Sequence, residues 1–428
     1  MRIGTPRSLT TDDLIYHKFN FAIILPSHNR IARFDRYLLL RAMKNLPWRD
    51  FTALVISIGI VGLGLGATIP LTALALDVRG AGTQVIGLVT AASALGILGV
   101  APFVTDWVAR FGPRHTMMGA VWAAAVVTAA MQATTDVWLW CALRLVFGAA
   151  MGVLFTIGEA WVNRIAPDQS RGRVVALYTT SFTLFQLAGP ALVALLNGRL
   201  AWPFAACGLL FIAALPGLML LNGTRLPAEE EAHARWQDVL PKMPMIAMGA
   251  AFFALFDTLI LSLLPVYALR QGMATQLALI SATVVLVGDT ALQFAMGALA
   301  DRYGRFLVHI GCGIAVCLLL PLLPLAAGIP WLWWTLLLAL GAVAGAIYML
   351  ALVACGERFN GAALTSASAI VNASWGIASA AGPLATGALM HGVGIHALPA
   401  VLFGVCALFL VSAWWERRGR PIAGERGT

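Results

Sequence analysis

An all-α polytopic membrane protein, with twelve transmembrane helices in two parallel-repeat six-helix bundles, is the fold class that three features of the sequence predict. Of 428 residues, 60% are hydrophobic and only 11% charged, with a mean hydropathy of +0.85. Soluble domains carry about 25% charged and about 45–50% apolar residues. Charge-free runs recur along the chain, and about 20 apolar residues suffice to cross a bilayer. The third feature is an internal repeat. Residues 138–190 slide by 193 positions onto 331–383 without a gap, bringing Trp138, Trp140, Gly148, Gly152, Gly189 and Pro190 onto Trp331, Trp333, Gly341, Gly345, Gly382 and Pro383. Self-similarity at so long a period marks a duplicated half. A membrane protein of two like halves has its substrate path where they meet.

Residues 1–50 are polar and basic, with no apolar run long enough to span and no cleavable signal peptide, so a cytoplasmic, flexible tail is expected. Met43 stands just before the first apolar run, which makes residues 1–42 a candidate tail or the product of an upstream start site. Six spans are expected at 52–76, 84–108, 115–134, 137–163, 173–197 and 203–222, within an N-terminal bundle of residues 51–222. The connection 223–242 is the only long polar stretch between spans, with Arg225, Glu229, Glu230, Glu231, Arg235, Asp238 and Lys242. A C-terminal bundle, 243–416, follows, with spans at 243–269, 274–300, 306–328, 331–355, 361–390 and 396–415, and then a tail, 417–428.

Orientation follows from the excess of Lys and Arg on cytoplasmic loops. With the N-terminus inside, 24 of the 28 Lys and Arg fall on cytoplasmic segments; Arg79, Arg199 and Arg270 fall outside, and Arg144 lies within a span. Both termini are therefore expected in the cytoplasm. Six spans separate the two copies, so the repeat is parallel rather than inverted. The net charge of +9 thus reflects topology and not nucleic-acid binding. The six cysteines all lie in apolar segments without metal-ligand spacing and read as buried filler. No metal or other cofactor is expected.

At the end of the eighth expected span stands Gly297-Ala-Leu-Ala-Asp301-Arg302-Tyr-Gly304-Arg305. It resembles the signature that the major facilitator superfamily carries between spans two and three and again between eight and nine. The resemblance implies a twelve-span carrier from about residue 50 to 416, a small-molecule substrate and alternating access. Gly297 lets a neighbouring helix approach, while Asp301, Arg302 and Arg305, at the Gly304 turn, can lock to carboxylates of the adjoining half. The first-half copy is degraded: Arg110-Phe-Gly112 matches at a shift of 192, but Ala109 replaces the acid and Asp106 lies one turn earlier. Arg144-Leu-Val-Phe-Gly148 is similar to the Arg-x-x-x-Gly pattern of proton-coupled members, and Glu159 to the acid that meets the loop arginines, here Arg110 and Arg114. Gly189-Pro190, repeated as Gly382-Pro383, resembles the kink signature of antiporters, although Phe185 replaces its first glycine. The segments Glu159-Ala-Trp161-Val-Asn163 and Arg171-Gly-Arg173 look like a poorly characterised bacterial branch of the superfamily.

Ionisable groups at membrane depth are costly, so each is a functional candidate. Arg144 lies seven residues inside its span, and Asp257 and Asp289 near the middle of spans seven and eight. Spans one, four, seven and ten line the cavity of the superfamily, which implies that Arg144 and Asp257 face each other across it. Asp257 is the first candidate for the proton-titrating carboxylate and Asp289 the second. Phe155 and Tyr348, at matching places in the two copies, are candidates to stack on an organic substrate or to serve as packing. The reading is a monomeric, proton-coupled exporter of small organic molecules in a bacterial inner membrane, with uptake by symport as the alternative. A non-transporting receptor or scaffold would be expected to append a soluble domain. An ATP-driven pump needs a Gly-x-x-x-x-Gly-Lys-Ser/Thr loop, which is missing. A membrane enzyme needs a polar catalytic cluster, whereas His309, His391 and His396 are scattered at helix ends and expected at the interface.

Overall fold

The computed structural model describes residues 47–166, 171–196, 201–221, 236–360 and 362–418. The expected tail 1–42 and most of the connection 223–242 lie outside them. The first six helical columns are α1 (Trp48–Val78), α2 (Thr83–Phe111), α3 (Pro113–Ala130), α4 (Val137–Ile165), α5 (Arg171–Leu196) and α6 (Pro203–Ile212, resuming at Leu215–Leu220). The second six are α7 (Pro244–Ser262, resuming at Leu264–Arg270), α8 (Thr275–Tyr303), α9 (Arg305–Leu319, extended by short turns to Ala326), α10 (Pro330–Arg358), α11 (Ala362–Gly392) and α12 (Ala397–Arg418). Eleven are long and apolar enough to cross a membrane. The other, α11, has 31 residues but carries Ser366, Ser368, Asn372, Ser374 and Ser379, which dilute its hydropathy. It lies between α2 and α7; Ser366 and Ser379 are buried, whereas Ser368 and Asn372 are exposed.

The repeat is visible in the packing. In the first half α2 crosses α4 and α1 crosses α5; in the second, α8 crosses α10 and α7 crosses α11. The halves meet through α2 against α11 and α5 against α8. Lipid gives helices no hydrophobic reason to associate, so close approach through small residues and dispersion must hold them. Gly96 faces the Leu145 carbonyl and Gly148 that of Ser93; in the other half Gly288 faces Leu338 and Gly341 faces Val285. A Cβ at any of the four would run into a backbone oxygen. Trp140 and Trp333 are both fully buried, and their indole N–H groups donate to the Thr134 carbonyl (3.1 Å) and the Ser281 hydroxyl (2.9 Å). The turns α2–α3 and α8–α9 pivot on Gly112 (φ 78°) and Gly304 (φ 95°), a backbone region that side-chain-bearing residues avoid.

The near face is where α1 begins and α12 ends; the far face is the opposite one. At the far face the halves are clasped. Asp77, at the end of α1, pairs with Arg270 at the end of α7 (2.9 Å). The Thr83 hydroxyl of α2 donates to the Gly387 carbonyl of α11 (2.8 Å). Gly87 lies against the Pro383 carbonyl, and Gly387 against that of Thr83. Toward the near face, α2 and α11 touch through Leu98 and Gly376. Beyond that, Ala101, Pro102, Phe103, Thr105 and Asp106 of α2 are exposed, as are Ser368, Ala369 and Asn372 of α11.

Candidate functional site

Asp257 and Asp289 sit at mid-helix: thirteen residues separate Asp257 from either end of the α7 column, and fourteen separate Asp289 from either end of α8. At about 1.5 Å per residue that is about 20 Å of helix on each side. Asp289 is buried (5% exposed), accepts a hydrogen bond from Gln293 Nε2 one turn away (3.0 Å) and rests against Gly345 of α10. Only a residue without a side chain leaves room there for the carboxylate. Asp257 is half-buried and lies close enough to Asp289 for mutual charge repulsion. Among the described residues it makes no ion pair and accepts no hydrogen bond.

One turn below Asp257 on α7, Phe253 joins an aromatic cluster. Tyr348 of α10 stacks on Phe253 (centroids 5.2 Å apart, planes 10° apart). Trp375 of α11 meets Tyr348 at 5.0 Å and Phe253 at 5.7 Å, with inclined planes. In the other half Phe155 of α4 packs edge-on against Phe182 of α5 (5.4 Å). Phe253, Trp375 and Phe182 were not among the residues singled out from the sequence. The i, i+4 relation of Phe253 to Asp257 was the available signal for the first. The lone Trp in serine-rich α11 was the signal for the second.

The remaining expectations divide. Glu159 makes no ion pair with Arg110 or Arg114. It shares the face of α4 that carries Phe155, four residues earlier, which turns it toward Tyr178 of α5 and Tyr348 of α10, both within its electrostatic reach. Arg144 is 2% exposed, has no carboxylate partner among the described residues and leaves its Nε without a hydrogen bond. Its guanidinium lies 4.6 Å from the ring of Phe147, which packs on Phe211 of α6. The expected confrontation with Asp257 is therefore absent in this conformation: Arg144 lies against Phe147 of its own helix, seven residues from the far end of α4, while Asp257 lies thirteen residues from the far end of α7. Arg305 pairs with Glu357 of α10 and with Asp301 (3.4 Å), all in the second half, instead of bridging to the first. Arg302 lies over the Tyr303 ring. Gly297 has open space around it. Asp106 and Arg110 are exposed, and Arg114 is half-buried with an unpartnered Nε. Pro190 and Pro383 lie inside α5 and α11, with Gly189 pressed on Gly66 of α1 and Gly382 on Leu255 of α7. His309, expected at the interface, is buried against Phe409 of α12, with rings 4.9 Å apart.

Two like six-helix halves, clasped at one end around mid-depth carboxylates and aromatic rings, define a secondary transporter of small molecules embedded in a membrane. The family model described as Major Facilitator Superfamily matches residues 54–358 and 275–427, and the chain belongs to that family. An uncharacterized MFS-type transporter of Bacillus subtilis, YfkF, is 26% identical over 265 residues, 60% of this chain and 67% of its own length. The uncharacterized MFS-type transporter YcaD of Salmonella paratyphi B is 22% identical over 338 residues, 77% of this chain and 86% of its own. Among solved structures, the nucleoside transporter NupG matches with a TM-score of 0.68 at 12% identity, covering 88% of this chain and 100% of that one. A D-xylose-proton symporter matches with a TM-score of 0.67 at 16% identity, covering 86% and 98%. These likenesses establish the fold. Family membership also makes the chain a carrier and not an enzyme, in a multi-pass bacterial membrane setting.

Proposed function

We propose that the protein is a proton-coupled exporter of small organic molecules in the bacterial inner membrane, with its near face in the cytoplasm. The observation that carries the reading is Asp257: a mid-depth carboxylate, half-buried and, among the described residues, unpaired, beside a second carboxylate, in a molecule whose described residues clasp the halves at the far face. Such a group can take a proton from one side and release it on the other as the halves rock. The Lys and Arg bias supports the near face as cytoplasmic, which makes this the inward-facing state. In this reading Asp77–Arg270 and the α2–α11 clasp form the outer gate. Asp106, Arg110, Arg114, Asp301, Arg302 and Arg305 serve the inner gate of the outward-facing state, when their present or missing pairs rearrange.

Uptake by symport is the second reading, favoured by the shared fold of the D-xylose-proton symporter. Purified protein in liposomes under an imposed pH gradient separates the two by the sign of labelled-compound movement. Asp257→Asn is expected to abolish gradient-driven accumulation, by at least about 100-fold, while leaving gradient-independent exchange measurable. Asp289→Asn, whose partner Gln293 stays in place, is expected to lose less. Full coupling in both variants would remove the proton from the mechanism.

A further inference from the structure

We infer that the cargo bound between α7, α10 and α11 is a lipophilic organic monocation, an amine or onium ion carrying aromatic or aliphatic bulk. The inference rests on the carrier reading above and names the chemical class that its central site fits.

Two independent features of that site point the same way. The first is charge. Among the described residues Asp257 is unpaired, and Asp289 lies within its electrostatic reach. Among the described residues Arg144 is the only Lys or Arg more than three residues inside a helix, and it is enclosed against Phe147. An anionic ligand would thus meet carboxylates and no available cation. A neutral ligand fits only beside a protonated Asp257, because it gives the ionised carboxylate no compensation once water is excluded. A cation relieves both. The second feature is the aromatic wall. Phe253, Tyr348 and Trp375 touch one another one turn from Asp257, and Tyr348 and Trp375 are half-buried, so ring surface remains available. A ring face attracts a cation, most strongly when water is excluded. Phe155 and Phe182, both half-buried in the first half, extend the apolar surface for the rest of the ligand.

The test is calorimetric binding to the purified full-length protein of three probes of similar size and shape: tetraphenylphosphonium, the neutral triphenylphosphine oxide and the anion tetraphenylborate. The cation is expected to bind at least about tenfold more tightly than either of the others. Asp257→Asn and Trp375→Leu are each expected to weaken it about tenfold or more, and Asp257→Glu to restore most of the affinity, which separates charge from folding. Equal affinity for the oxide or the borate, or unchanged affinity in Asp257→Asn, overturns the inference. Spin labels at Val78→Cys and Val393→Cys, on opposite halves of the far face, report alternation independently. Labels that move with pH in a protein that ignores phosphonium leave the carrier standing and overturn the cargo class. Phosphonium binding of the expected selectivity with labels that never move supports the cargo class and overturns the carrier.

Discussion

Gly87→Val is expected to hold the far face open. In the clasped state any Cβ at position 87 falls on the Pro383 carbonyl oxygen, and backbone there cannot swing aside as a side-chain tip can. Gly387 makes the reciprocal approach to the Thr83 carbonyl, next to the hydrogen bond from the Thr83 hydroxyl. Overpacking of this kind costs about 1–3 kcal/mol. Here the cost falls on one conformation alone, so it becomes a population shift of about five- to 150-fold toward the state in which α2 and α11 part. Distances between spin labels at Val78→Cys and Val393→Cys would lengthen, and transport would fall as the carrier is held in one state. Gly87→Ala should give a smaller shift in the same direction. Gly99→Val, on the same helix but with open space around its Cβ position, should leave the distances as they are. An unchanged distribution in Gly87→Val would mean that this contact does not close the molecule.

The division of the chain was legible because its cause is local. Hydropathy marks a span wherever about 20 apolar residues run together, and the repeat of Trp140 on Trp333 and Gly148 on Gly341 survives because each pair does the same job in its half. The mid-depth acids were equally plain, since a charge among apolar residues is costly at Asp257 or Asp289 and so stands out, whether it serves transport or structural pairing. What could not be read was direction around a helix. Arg144 and Glu159 sit on the expected helix at the expected depth, yet their partners depend on which side of α4 meets α5, α6 or α10. That is fixed by packing between helices, not by depth. Arg305 shows the same limit: the sequence gives it a tight Gly304 turn and neighbouring acids, and only the fold selects Glu357. Family resemblance likewise located Gly189-Pro190, while the tight seat of Gly66 against the Gln186 carbonyl, freed by Pro190 from its helical donor, emerges only in three dimensions.

The second half must move as a unit if rocking is to carry Asp257 with it, and Glu416 is the side chain that ties its near end together. Its carboxylate pairs with Arg358 at the end of α10 and accepts the Met245 backbone N–H (3.2 Å) at the start of α7. A carboxylate at a helix N-terminus and a guanidinium at a helix C-terminus both oppose the local helix dipole, so each contact is favourable twice over. The pair is largely enclosed, with side-chain exposures of 20% for Arg358 and 9% for Glu416. Met243 and Ile246 flank Met245, and Cys355 and Phe359 flank Arg358, in one buried apolar cluster. Removing one partner leaves a desolvated charge, and loss of a buried pair in that way costs about 3–5 kcal/mol. Glu416→Ala is therefore expected to lower the thermal midpoint of the purified protein by several degrees and to loosen α7 first. Hydrogen exchange at Met245 and the following turn should rise before exchange in α2 or α4. Because the penalty is the orphaned guanidinium and not the missing attraction, Arg358→Leu combined with Glu416→Leu should recover most of the midpoint. A double variant no more stable than Glu416→Ala would locate the loss in the uncapped end of α7 instead.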